Sequence, residues 1–235
     1  MTALFCDGNP TLNAQWSPAA TVLTGDFIFA RAAKLAAETD HLPLMKLFAE
    51  TLATIVNGEL TQMFSARGVI SRENYYKRIY AKTASLIEMT TWAAAMISPV
   101  TEEIVQSMRR FGYHLGIAFQ IVDDILDFTG TPSEVGKPVG SDLMQGLITL
   151  PALYFIERYP NDERVQLILA GKYDESPAAM QDLVQAIRQS PCIHQALEEA
   201  TQHIHAALDH LQHQPLCAER TALEELALYT VQRRL

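Results

Sequence analysis

The segment Phe119-Gln120-Ile121-Val122-Asp123-Asp124-Ile125-Leu126-Asp127-Phe128 places three carboxylates inside one of the most apolar runs of the chain. On a helix, Asp127 follows Asp123 by four residues and Asp124 by three, so all three can face one volume while apolar neighbours pack behind them. No cationic side chain stands three or four residues from Asp123 or Asp127. We therefore expect Mg²⁺ at this cluster. Because Mg²⁺ combines one or two carboxylates with waters and phosphate oxygens, we expect a phosphorylated ligand.

The alternative interpretation is that the aspartates form a solvated last turn of a helix before Gly130-Thr131-Pro132. Carboxylates near a helix C-terminus oppose the helix dipole, and charges on a solvated face usually alternate in sign. Neither expectation fits this run, so the metal site is favoured.

Composition and charge narrow the class of protein. The 235 residues are 49% hydrophobic and 19% charged, which is typical of a globular domain, and the formal charge of -9 argues against a nucleic-acid partner. Cys6, Cys192 and Cys217 form no disulfide or zinc pattern. The first residues do not resemble a signal peptide, and no apolar run approaches the roughly 20 residues of a transmembrane segment. We expect a cytoplasmic protein.

Hydrophobic periodicity predicts an all-α fold, a bundle of long helices with shorter C-terminal helices. Ser17-Pro18 and Ser71 with Glu73 are helix start signals, and 129–141 is too rich in Gly and Pro for regular structure. The predicted helices span about 18–39, 43–66, 71–97, 101–128, 142–158, 161–170, 176–189, 192–213 and 217–231.

Three further stretches contain polar residues for which a binding role and a structural role are compared. Lys82 lies in a less polar setting than its neighbours and could bind an anion such as a diphosphate, or extend to the surface. Glu59 and Gln62 are expected to make surface or inter-helix hydrogen bonds. The segment Gly136–Leu143, with Lys137, could close over a diphosphate, although alone it could be an ordinary turn.

Ordered motifs along almost the whole chain resemble those of trans-isoprenyl diphosphate synthases, and most of all the long-chain polyprenyl diphosphate synthases. The matching stretches are Asn9-Pro10-Thr11, Trp16–Asp26, Lys82-Thr83-Ala84-Ser85-Leu86, Phe119–Asp127, Gly136-Lys137, Gly140, Asp142-Leu143, Gly146 and Thr149-Leu150-Pro151.

The resemblance implies an all-α fold of isoprenoid synthase type, usually homodimeric, that condenses isopentenyl diphosphate with an allylic diphosphate using Mg²⁺. It also implies two sets of site residues. Mg²⁺ would be held by Asp123, Asp124 and Asp127. The allylic diphosphate would be contacted by Lys82, Thr83, Gln120 and Lys137.

The chain departs from the family pattern before Gly8. Family members carry a first aspartate-rich motif upstream and then two arginines, where this sequence has Cys6 and Asp7. We therefore expect residues 1–235 to be a single, N-terminally incomplete domain with little activity alone. We expect a homodimer or a heteromer with a related synthase subunit. The alternative functions are a non-catalytic partner of a full-length synthase and a helical protein that binds apolar ligands.

Overall fold

The computed structural model describes residues 5–6, 9–64, 71–130, 139–171, 177–212 and 214–233. Over these residues the fold is helical apart from a small antiparallel pair, β1 (Phe5–Cys6) and β2 (Asn9–Pro10). The helices are α1 (Leu12–Gln15), α2 (Pro18–Ala37), α3 (Leu42–Phe64), α4 (Arg72–Ile79), a π-helical turn (Tyr80–Ala84), α5 (Ser85–Met96), α6 (Glu102–Thr129), α7 (Ser141–Met144), α8 (Leu150–Arg158), α9 (Glu163–Leu169), α10 (Pro177–Gln189), α11 (Cys192–Leu211) and α12 (Ala218–Gln232).

The predicted all-α class is confirmed, with three differences of detail. The helix predicted over 142–158 is two helices, α7 and α8. Gly146 between them has a φ of 79°, which ends the first, and Pro151 lies in the first turn of the second, where its missing N–H costs nothing. The helix predicted over 71–97 contains the π-helical turn, and the short α1 was not predicted.

Helix α6 is the centre of the molecule, and both of its sides are covered. Many of its apolar side chains, including those of Phe111, Ile121 and Ile125, are fully buried. On one side α6 packs against α5, and on the other against α11. A glycine of α6 allows the first of these contacts, because a Cβ on Gly112 would lie 2.9 Å from Glu88 Cα in α5. The segment singled out in the sequence is therefore the core helix.

Helix α2 is rich in large apolar side chains but has no buried residue. Val22, Leu23, Phe27, Ile28 and Leu35 are each at least 61% exposed, and we call these five residues the α2 surface. Large exposed apolar areas on a protein mark interaction sites. No helix within the described residues is both long enough and apolar enough to span a bilayer.

We expect the α2 surface to be covered by a second protein chain in solution. Light scattering at micromolar concentration should give a mass above the 26.2 kDa of one chain, with little binding of the dye ANS. The double variant Leu23→Gln, Phe27→Gln should shift the protein to smaller species, because it makes the contact polar. Leu216→Gln, at an isolated exposed leucine, is the control and should change nothing. A wild-type monomer that does not bind ANS would contradict the expectation.

Three histidines meet between α6 and α11. His114 Nδ1 lies 3.0 Å from His203 Nδ1, and the His210 ring stacks on His114 with centroids 5.9 Å apart. Burial first, and then the charges of His203, His210 and Arg110, lower the pKa of His114 to about 4. Burial also lowers the pKa of His203, against the opposing charge of Glu199. The folded protein therefore favours neutral imidazoles here.

This cluster predicts a loss of stability in mild acid. The ordinary pKa of His114 is 6.5, so between about pH 6.5 and 4 the unfolded chain binds a proton that the folded chain does not. Its contribution is complete above pH 6.5 and decreases as the pH falls toward 4. Allowing for partial solvent exposure, wild type should lose about 1–2 kcal/mol more than His114→Gln between pH 7 and 5. Denaturant unfolding of both proteins at both pH values measures this, and parallel losses would refute it.

Candidate active site

The three aspartates of α6 contact three different parts of the protein. Asp123 forms an ion pair with Arg233, which follows α12, and Asp124 lies under α4. Asp127 receives hydrogen bonds from the start of α7. Among the described residues, no group of three or more acidic, His or Cys side chains is arranged to hold a metal ion. The structure therefore differs from the expectation that all three carboxylates face one volume.

Asp124 is the buried carboxylate of the cluster. The Tyr75 hydroxyl donates to its Oδ2 at 2.8 Å, and Gln120 Nε2 donates to its Oδ1 at 2.9 Å. Burial raises the pKa of Asp124 to about 7, and the two hydrogen bonds oppose that rise. The nearby carboxylate of Asp142 adds to it. This side chain is thus held in one orientation by neutral donors.

Asp127 fixes the segment that follows the loop. Ser141 Oγ donates to Asp127 Oδ1 at 2.8 Å, and the backbone N–H of Asp142 donates to Oδ2 at 3.2 Å. The Gly140 N–H donates to the Asp127 carbonyl at 2.7 Å. Gly140 has a φ of 72° and packs on Val184, so a side chain would be strained here. These contacts bring Asp142 next to α6.

Asp123 is the accessible member of the three, with a side chain that is 40% exposed. Arg233 Nη2 lies 3.1 Å from its Oδ1. Partial burial raises the pKa of Asp123, while Arg233 and, more weakly, Lys82 lower it. The sequence offered no local cation for this carboxylate, and the structure supplies one from the far end of the chain.

Lys82 and Thr83 lie on the π-helical turn, which is packed between two glycines. A Cβ on Gly58 of α3 would be 2.5 Å from the Ala81 Cβ, and a Cβ on Gly116 of α6 would meet Ala84. A π turn adds one residue to a helix and changes the direction of its side chains, and such turns are frequent at functional sites. Here Thr83 Oγ1 donates to Gln120 Oε1 at 2.6 Å. Thr83, Gln120 and Asp124 therefore form one hydrogen-bonded chain.

A small, partly open cleft lies between these elements. Its lining combines two cations and two carboxylates with polar and apolar side chains: Gln62, Arg78, Ile79, Lys82, Gln120, Asp124, Asp142, Leu147 and Thr149. Thr149 Oγ1 is buried without a hydrogen-bond partner among the described atoms, so a ligand or water can satisfy it here. Arg78 Nη2 donates to the Ile148 carbonyl at 2.6 Å, which ties α4 to the segment before α8.

Of the residues predicted from sequence, Lys82, Gln120 and Asp124 line the cleft, and Thr83 joins it through Gln120. Asp123 and Asp127 lie on the same helix as Gln120 and Asp124 but contact other residues. Asp123 pairs with Arg233, and Asp127 accepts a hydrogen bond from Ser141. Lys137, with most of the predicted loop, lies outside the described residues. Lys82 is exposed rather than buried.

Four residues that line the cleft were given no individual site role from the sequence: Gln62, Arg78, Asp142 and Thr149. Gln62 was expected to make only surface or inter-helix hydrogen bonds. Arg78 precedes Lys82 by four residues on a helix, which was an available signal that both cations share a face. Asp142 follows Gly140 closely, and its proximity to Asp124 depends on the tertiary contact with Asp127.

The residues in and beside the cleft fit a divalent cation that is shared between the protein and a phosphorylated ligand. Mg²⁺ needs no closed cage of protein ligands, because it keeps waters and takes one or two carboxylates together with phosphate oxygens. Asp123 is exposed and already pairs with a cation, which shows that positive charge is accommodated at its oxygens. Asp142, which lines the cleft, and Asp123, which lies close enough to be influenced by its charge, could therefore hold Mg²⁺, while Lys82 and Arg78 line the same cleft and could bind the phosphate oxygens.

Residues 8–187 match the family model described as Polyprenyl synthetase. Heptaprenyl diphosphate synthase component 2 of Geobacillus stearothermophilus is 36% identical over 228 residues, covering 96% of this chain and 70% of that protein. A prenyl transferase of Synechocystis sp. is 38% identical over 95% of this chain and 68% of its own length. Solanesyl diphosphate synthase 1, chloroplastic, of Arabidopsis thaliana is 34% identical, and the chain spans only 55% of it.

Solved structures that share the fold include the following two. Heptaprenyl diphosphate synthase from Staphylococcus aureus superposes with a TM-score of 0.90 at 30% identity, covering 97% of this chain and 71% of that one. Polyprenyl synthase from Caulobacter crescentus CB15, complexed with calcium and isoprenyl diphosphate, gives a TM-score of 0.85 at 32% identity, covering 97% and 70%. The helical architecture is therefore that of isoprenoid synthases.

Proposed function

Because this chain belongs to the polyprenyl synthetase family, we propose that it takes part in condensing isopentenyl diphosphate with an allylic diphosphate. The observation that carries the proposal is the mixed charge of the cleft. Lys82 and Arg78 line it together with Asp124 and Asp142. Cations alone would suit a free anion and carboxylates alone a free cation, whereas this combination suits a diphosphate bound with a divalent cation.

The polar residues in and around the cleft have different roles in this proposal. Lys82 and Arg78 bind diphosphate oxygens, and the Thr149 hydroxyl offers a further hydrogen bond. Gln120 is held by Thr83 on one side and donates to Asp124 on the other, so it orients the wall of the cleft. Lys137 is proposed as a further cation toward the diphosphate.

Mg²⁺, when bound by Asp123 and its neighbours, supplies the positive charge that neutralises a diphosphate leaving group. The Caulobacter crescentus relative was crystallised with calcium and isoprenyl diphosphate, which supports a divalent cation and a prenyl diphosphate as the ligands. In the proposed reaction the allylic C–O bond breaks, the alkene of isopentenyl diphosphate attacks the resulting cation, and a proton is lost. The fixed charges of the cleft act on the leaving group.

We further propose that turnover requires a second protein chain. Two relatives are named heptaprenyl diphosphate synthase component 2, which supports a role as one subunit of a heteromer. The α2 surface is the proposed contact.

The second candidate function is a partner subunit that regulates a full-length synthase without catalysing turnover itself.

Incorporation of radiolabelled isopentenyl diphosphate into extractable products separates these cases. With an allylic diphosphate and Mg²⁺, the 235-residue chain alone should give negligible product, and activity should appear when a synthase chain that co-purifies with it is added. Lys82→Gln should then reduce the restored activity if this cleft is catalytic. Lys46→Gln, at an exposed lysine of α3, should not reduce it. Unchanged activity with Lys82→Gln would favour the regulatory subunit, and rapid turnover by the chain alone would refute the need for a partner.

A further inference from the structure

Arg233 is held against the aspartate cluster by three contacts. Its Nη2 lies 3.1 Å from Asp123 Oδ1, and the same atom donates to the Phe119 carbonyl at 3.3 Å. Its guanidinium carbon stands 4.2 Å from the centre of the Phe119 ring. The side chain is only 21% exposed, and the backbone N–H closes the end of α12 on the Tyr229 carbonyl. The end of α12 is thus fastened to α6.

The carboxylate that Arg233 contacts is the one that a metal ion can reach. Asp124 is buried under Tyr75 and Gln120, and Asp127 holds the start of α7. A divalent cation bound at Asp123 Oδ1 would lie next to the Arg233 guanidinium, which is 3.1 Å from the same oxygen, so the two positive charges repel each other. Two cations that compete for one carboxylate are negatively coupled, and the coupling is reciprocal.

We propose that Arg233 is a positioning residue that keeps Asp123 paired in the unliganded protein and is displaced when a divalent cation and a diphosphate bind, which releases the end of α12. This inference rests on the proposed function, because it requires metal at Asp123. The pair is partly exposed, so it is weak enough to be exchanged for a doubly charged ion. The Phe119 contacts keep the guanidinium in place until that exchange.

Calorimetry with inorganic pyrophosphate and Mg²⁺ measures the competition. Arg233→Gln removes the competing cation and should bind Mg²⁺–pyrophosphate about 3- to 10-fold more tightly than wild type. Arg233→Lys keeps the charge without the planar fork and should be intermediate. Arg220→Gln is the matched control, because Arg220 is on the same helix with an ion pair to Glu224 at 2.7 Å. It removes the same charge and should bind like wild type.

Hydrogen–deuterium exchange of the last turn of α12 gives a readout independent of affinity. Ligands generally slow exchange across a folded protein. Here Mg²⁺ with pyrophosphate should speed exchange of the wild-type amides at 230–233 while slowing exchange along α6. In Arg233→Gln this turn should exchange fast already, and the ligand should not change it.

The outcomes separate this inference from the proposal on which it rests. If wild type shows no Mg²⁺-dependent binding of pyrophosphate, the proposed function and the displacement both fail. If wild type binds but Arg233→Gln binds no more tightly, or if exchange at 230–233 slows with ligand, only the displacement is wrong. Tighter binding by Arg233→Gln but not by Arg220→Gln, together with faster exchange in wild type, supports it.

Discussion

Asp123→Asn is expected to weaken Mg²⁺-dependent pyrophosphate binding by about 100-fold. The substitution keeps the shape of the side chain but removes the charge of the accessible carboxylate on α6. A neutral amide is a much poorer ligand for Mg²⁺ than a carboxylate, and the diphosphate is bound largely through the metal. Titration calorimetry at fixed Mg²⁺ measures the loss.

Glu59→Gln is the control for this variant. Glu59 is an exposed carboxylate on α3, so the substitution makes the same chemical change away from α6. It should leave affinity within about twofold of wild type, since isolated surface charges contribute little. If Asp123→Asn and Glu59→Gln behave alike, Asp123 is not a metal ligand.

Gly116→Ala is expected to destabilise the protein by about 2–4 kcal/mol. The added Cβ would lie 2.6 Å from Ala84 Cα and 3.1 Å from the Ala84 carbonyl oxygen, which are backbone atoms that cannot move away at little cost. Either α6 shifts from the π-helical turn or the turn itself changes. In both cases the Thr83–Gln120 hydrogen bond lengthens, so the variant should also lose diphosphate affinity.

Gly25→Ala provides the contrasting control, because no atom lies within 4 Å of the position a Cβ would take on Gly25. In the middle of α2 this substitution should stabilise the helix by about 0.5–1 kcal/mol through backbone entropy. Denaturant unfolding at one fixed protein concentration compares both variants with wild type. Equal stability of Gly116→Ala and wild type would mean that α6 and the turn are not packed as described.

The helices could be predicted from sequence because their signals are local. Ser17 and Ser71 accept the capping hydrogen bonds from Ala20 and Asn74, as their positions before a helical period predicted. The long α6 follows from its apolar period. The π-helical turn had no local signal, because its shape depends on the packing of Gly58 and Gly116 on either side of it.

The site could be predicted only in part, for a similar reason. The aspartate cluster is a local pattern, so it could be recognised from the sequence. How each carboxylate is neutralised depends on tertiary contacts with Arg233, Tyr75 and Ser141, which are distant in the chain. The sequence has no cationic residue within one helical turn of Asp123, but the fold brings Arg233 to this carboxylate from the far end of the chain.

The most direct test of this account is a calorimetric titration of the wild-type chain with an allylic diphosphate, in Mg²⁺ and again in EDTA. The cleft places Lys82 and Arg78 beside carboxylates, so the account predicts binding with Mg²⁺ and at least tenfold weaker binding without it. Equal affinity under both conditions would contradict the central claim, because the carboxylates would then have no part in holding the diphosphate.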